Sequence, residues 1–311
     1  MSPIRRRISL GQLVQLVRIA VGAWIDDRAP SMGAALAYYT LFSMAPLLLI
    51  ALSVAGAVFG VEAARGEVFA QLRGTFGDGG AAAVEQLLES VDRPGGGVLA
   101  TILGLGLMLV GATTVFAELQ DALDRIWRAP GRAPGGLWAL LRARVLSFGL
   151  ILGLGFLLLV SMLMNAALAA AQRWWGGWLA DWGLLLQLVN HVSSFALVTV
   201  MFAMIYKLMP RVRIDWADVW VGAIVTAALF GVGRMLIGAY LAVGAVTSGF
   251  GAAGSLVAVL VWVYGSAQIF LLGAEFTWAW AHTFGSRRDE PLPTRGEAAP
   301  VPAEMVALRR V

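Results

Sequence analysis

Cysteine is absent from this chain, and histidine is represented only by His191 and His282. Disulfides, thiolate metal sites and cysteine nucleophiles are thereby excluded, and an imidazole-rich metal centre lacks the ligands to be built. No GxxxxGK[ST] run occurs, so the glycine loop that cradles nucleotide phosphates is missing. Charge is scarce: 14% of the 311 residues are Asp, Glu, Lys or Arg, against about 25% in an average soluble domain. Lys207 is the one lysine among 23 basic residues. What replaces charge is apolar surface, 59% of the chain, and that composition belongs to an integral membrane protein.

Six stretches are long and apolar enough to cross a hydrocarbon core of about 30 Å at about 1.5 Å per residue. They cover residues 34–59, 98–116, 145–171, 184–206, 219–241 and 255–280. The expected fold class is all-α, a polytopic membrane protein with a six-helix domain over residues 31–284. Ahead of it, residues 1–30 form an arm in which Leu10, Leu13, Val14, Val17, Ala20, Val21 and Trp24 recur at helical spacing. That pattern predicts an amphipathic helix lying on the membrane surface. Residues 60–97 predict a short helical loop outside the membrane, and residues 285–311, rich in Pro, Arg and Glu, predict a disordered tail. Six spans place both termini on one side. Eighteen of the 23 basic residues then fall on that side, which the positive-inside rule makes the cytoplasm.

Polar residues inside the spans are the candidates for function, because an ionised group at bilayer depth costs about 2.5 to 3.5 kcal/mol on insertion scales. In the fifth span Ala223, Ala227, Gly231, Arg234 and Gly238 share a small-residue face, which predicts that Arg234 points inward against another helix. In the sixth, Ala258, Gly265, Gln268, Leu272, Glu275 and Ala279 make a comparable stripe and turn Gln268 and Glu275 inward. Arg234 lies in the outer third of its span, as do Asn165, Gln187, Asn190 and His191 in theirs. Either these form a pocket in which Arg234 binds an anion such as a lipid phosphate, or Arg234 snorkels to the headgroups. Near the other face, Glu118, Glu275 and Gln268 are candidates for a structural lock or an inner gate, the two carboxylates pairing with loop arginines, while Asp121 with Arg125 and Asp124 with Arg128 predict i, i+4 pairs. Pro46 interrupts the first span and marks a kink, either a hinge or a packing feature.

Four runs carry a resemblance: ALAYYTLFSMAP at 35–46, AELQDALDRIWR at 117–128, LMPRVR at 208–213 and GAEF at 273–276. Together they are similar to the YihY / virulence factor BrkB family of bacterial inner-membrane proteins, over about Val14 to Phe284. The family commonly has Asn where Asp124 stands and Tyr-Gly in place of Phe250 and Gly251. The resemblance implies a six-helix inner-membrane protein associated with envelope integrity, serum resistance and lipid export, and it carries an old label of ribonuclease BN. The residues oppose that label, since no His/Asp metal cluster or soluble basic groove is legible. The resulting expectation is a non-enzymatic protein with no metal, cofactor or nucleic-acid partner. It handles or transports lipid or another amphipathic envelope component, with membrane lipids, an anionic headgroup among them, as partners. The alternative is a non-transporting scaffold for envelope assembly, with envelope proteins as partners.

Overall fold

The computed structural model describes residues 9–62, 65, 66, 68–70, 73, 85, 114–129, 183–242 and 254–289. Among the described residues every regular element is helical. They comprise α1 (Leu10–Asp26), α2 (Ala29–Phe59), α3 (residues 114–126), α4 (Gly183–Leu208), α5 (Trp216–Ala242) and α6 (Gly254–Thr283). Three segments within α4 to α6 are long and apolar enough to cross a membrane: His191–Leu208, Trp216–Leu241 and Leu256–Thr283. The expected spans at 184–206, 219–241 and 255–280 each fall inside one of these helices, which overrun them by a few residues. The expected span at 145–171, most of that at 98–116, most of the 60–97 loop and the tail beyond residue 289 lie outside the described residues.

Local chemistry explains the helix boundaries. Ser9 and Gln12 form a capping box, with Ser9 Oγ accepting from the Gln12 amide and Gln12 Oε1 from the Ser9 amide, so α1 starts where its first donors are satisfied. The chain turns at Asp27 and Arg28, and Arg28 adopts a left-handed conformation at φ 56°. Pro30 sits in the first turn of α2, where a missing N–H costs nothing. α2 stays helical through Pro46, so that proline does not end the helix at the position read as a hinge.

The chain divides into two compact units, one made of Met1–Asp27, Leu123–Leu229 and Leu272–Val311, the other of Arg28–Ala122 and Phe230–Leu271. In the second, Gln268 Nε2 donates to the Pro30 carbonyl at 3.5 Å, and a Cβ on Gly33 would collide with the Gln268 side chain. Further along, Ile269 packs onto Gly233 and Ile237 onto Gly265, while Phe230 meets Trp262 edge to face at 6.2 Å. Each glycine lets a neighbouring helix approach to a distance that a side chain would forbid. In the first unit, α6 from Gly273 to Thr283 is buried except at Trp280. A helix buried on nearly all sides is the centre of its unit, and the polar groups below are arranged around it.

Candidate functional site

The best-built site lies in the first unit, around the C-terminal end of α6. Its foundation is a matched pair of sequences, GAIVT at 222–226 on α5 and GAEFT at 273–277 on α6. Thr226 Oγ1 donates to the Gly222 carbonyl and Thr277 Oγ1 to the Gly273 carbonyl, each at 2.7 Å. A Cβ on Gly222 would strike Thr277, and one on Gly273 would strike Thr226. The two helices therefore interlock reciprocally, glycine against threonine in both directions. With its single hydrogen committed to Gly222, Thr226 can only accept from the buried Tyr206 hydroxyl, 3.1 Å away on α4.

This interlock fixes which face of α6 meets α3. Glu275, Trp278 and His282 follow at offsets 0, 3 and 7 on one helical face, and all three are buried. The Arg128 guanidinium lies 4.1 Å from the centre of the Trp278 ring. The Trp278 and His282 rings are 4.7 Å apart, Trp127 is 6.3 Å from His282, and the Arg287 guanidinium lies 5.6 Å from the Trp127 ring. Arg128, Trp278, His282, Trp127 and Arg287 thus form a continuous chain of cation and aromatic contacts. His282 Nδ1–H donates to the Trp278 carbonyl at 2.9 Å, which sets its tautomer. The indole N–H groups of Trp127 and Trp278 find no partner among the described residues, so the rings contribute through their faces.

Arg128 is delivered to Trp278 by an unusual helix ending. The Ala129 amide bonds to the Asp124 carbonyl at 2.8 Å and the Arg128 amide to the Arg125 carbonyl at 3.1 Å. That is a Schellman motif with Arg128, at φ 50°, in the left-handed position normally held by glycine. Asp124 does not merely decorate its own helix: it accepts from the Arg211 amide at 2.8 Å and pairs with Arg211 Nε at 3.3 Å, tying α3 to the loop after α4. Asp218, in the first turn of α5, accepts from the Ser286 amide at 3.0 Å and the Ser286 hydroxyl at 2.6 Å. Arg287 donates to the Arg213 carbonyl, and Lys207 to the Ile214 carbonyl. The polar end of α6 is therefore bound to α3, α5 and the 209–215 loop by contacts between residues far apart in the chain.

Of the residues singled out from sequence, Glu275 is fully buried as its stripe predicts. Gln268 is half-buried and bonded to Pro30, and Glu118 is half-buried in the second unit. Arg234 is exposed, and so are Gly231 and Gly238 beside it, which corrects the inward orientation. Close approach to α6 falls on Gly222, Gly233 and Ile237, one residue away from the expected stripe, and a step of one residue rotates a helix face by about 100°. Ala223 and Ala227, at the start of that stripe, are buried. His191 is exposed. Arg234 and His191 belong to different units. Asn165 and the side chains of Gln187, Asn190 and Pro46 lie outside the described residues. Sequence reading missed Thr226, Thr277, Trp278 and Asp218; the repeated GAxxT pattern was the available signal for the two threonines.

Long apolar helices interlocked through glycine, with their buried charged groups gathered at one end, define a helical membrane protein. Comparison with known proteins narrows the class. The chain belongs to the BrkB family: the family model described as "Virulence factor BrkB" matches residues 20–297. Among its relatives are proteins named "UPF0761 membrane protein" from Pseudomonas aeruginosa, 26% identical over 84% of this chain, and from Pseudoalteromonas translucida, 27% identical over 81% of both chains. A third, from Ralstonia nicotianae, is 26% identical over 87% of this chain. The chain spans about three-fifths of the length of the Pseudomonas and Ralstonia proteins, 61% and 60%. No solved structure matches it. Three of the four runs that carry the family resemblance, at 117–128, 208–213 and 273–276, each contribute residues to the site described above.

Proposed function

We propose that this protein handles an anionic lipid, or another amphipathic envelope component, from the bacterial inner membrane, crossing it six times with both termini in the cytoplasm. The observation that carries the reading is the setting of Arg234. It is exposed on α5 beside the exposed apolar side chains of Val232, Met235 and Leu236, about 27 Å along the helix from its first residue at 1.5 Å per residue. A guanidinium on such a surface is stable where its stem lies along acyl chains and its head reaches a headgroup. Phosphate suits it, because the guanidinium fork matches phosphate oxygens in pairs. The buried end of α6, with Glu275 and the Arg128–Trp278 contact, serves in this reading as the fixed end against which the lipid-facing helices are held. No enzymatic step, cofactor or nucleic acid enters it.

The alternative is a scaffold for envelope assembly, which the lattice joining α3, α5, α6 and the 209–215 loop favours, since such a lattice needs no substrate path. Native mass spectrometry in membrane-derived nanodiscs separates the two. Comparing wild type with Arg234→Ala at matched yield, the lipid reading expects selective retention of an anionic lipid that the variant loses. Retention no different from bulk membrane in both proteins moves the assignment to the scaffold.

A further inference from the structure

The sequence pattern gives α1 one apolar face; the structure gives it two. Leu16, Ile19, Ala20 and Ala23 are buried in the first unit, whereas Leu10, Leu13, Val14, Val17, Val21 and Ile25 are exposed. At 3.6 residues per turn the two sets are centred about 140° apart. The remaining arc holds Gly11, Gln15, Arg18, Gly22 and Asp26, about 110° from either. α1 is a three-sided helix, with one side against protein, one apolar and uncovered, and one polar.

We infer that α1 is a fixed bracket between the protein and the headgroup layer, its uncovered apolar side in the acyl region and its Arg18 edge against anionic headgroups. Three observations select lipid over other occupants. The exposed stripe runs the length of the helix, as an element lying along an interface requires. Residues 1–28 carry Arg5, Arg6, Arg7, Arg18 and Arg28 against Asp26 and Asp27, so the net positive charge complements an anionic surface. A second copy of α1 is disfavoured because its 17 residues fall short of the three heptads over which a coiled-coil pattern is sustained. The buried side makes the attachment permanent, unlike a helix that folds only on contact with a membrane.

The absence of cysteine makes the test direct. Single cysteines replacing Val14, Val17, Val21, Gln15, Gly22 or Ile19 in the full chain are spin-labelled in phosphatidylcholine nanodiscs with and without phosphatidylglycerol. Labels at Val14, Val17 and Val21 are expected to be accessible to oxygen and shielded from a water-soluble nickel chelate, those at Gln15 and Gly22 the reverse, and that at Ile19 immobile. Phosphatidylglycerol is expected to be enriched about fivefold beside the helix, the effect of one arginine near a charged surface, read as contact of a headgroup-labelled phosphatidylglycerol with the Gly22 label. Arg18→Gln abolishes that response, Arg18→Lys retains it, and Arg234→Ala leaves it unchanged, which keeps the result separate from the proposed headgroup site. Nickel access along the stripe, or spin–spin broadening from a second copy, overturns the lipid assignment. Contact with the Gly22 label no greater for phosphatidylglycerol than for phosphatidylcholine overturns the anionic preference.

Discussion

At the scale of single residues, Arg128 shows how this protein uses backbone conformation. A side chain in the left-handed region costs about 1 kcal/mol or more relative to glycine, yet at Arg128 that conformation delivers a guanidinium to the face of a buried Trp278. A desolvated cation–π contact contributes about 2 kcal/mol, enough to offset the backbone cost. Two variants separate the terms. Arg128→Ala is expected to lose about 2 kcal/mol, since it keeps the strained backbone and loses the contact; Arg128→Gly is expected to lose about 1 kcal/mol less. Denaturant unfolding in detergent reads both, and an Arg128→Gly protein about 1 kcal/mol more stable than wild type would mean that the stack contributes nothing. Little of this was legible beforehand. Asp124 and Arg128 have ideal i, i+4 spacing, and nothing local announces that Asp124 reaches Arg211, 87 positions along the chain.

At the scale of elements, the interlock of α5 with α6 leaves no room for an added methyl group. Gly222→Ala places its Cβ against Thr277, and Gly273→Ala against Thr226 and Tyr206, so each is expected to destabilise by about 1 to 3 kcal/mol through overpacking. Gly231→Ala, where a Cβ meets open space, is expected to be neutral or slightly stabilising, and thermal unfolding of the three in parallel checks the difference. The attachment of the chain after α6 is a separate matter. Asp218→Asn keeps the size of the side chain but weakens the acceptor of two bonds from Ser286. Bonds to a charged acceptor contribute about 1.5 to 3 kcal/mol each, so the segment following Thr283 is expected to be cleaved faster by protease at Arg287 and Arg288. Unchanged cleavage would show that this attachment rests on other contacts.

For the whole molecule, the proposed topology is open to cysteine mapping in a chain that has no background thiol. Gly11→Cys and Asp289→Cys are expected to react with an impermeant maleimide only after the inner face of the membrane is opened, and Glu62→Cys in intact spheroplasts. Reaction of Gly11→Cys and Asp289→Cys from opposite sides would rule out an even number of spans.

Composition and hydropathy by themselves determined that this is a helical membrane protein, and placed α4, α5 and α6 within a few residues. Apolar length is a local property, and burying backbone polar groups in hydrocarbon demands helix whatever the neighbours are. Motifs were enough to reach the family. Tertiary structure alone decided which faces matter. Two candidate stripes on α5 differ by about 100° of rotation, and only the partner helix shows that Gly222, Gly233 and Ile237 make the contact while Arg234 stays outside. α1 acquired its second apolar side in the same way. Periodicity reports that residues share a face, but whether protein or solvent lies against that face is set by elements distant in sequence.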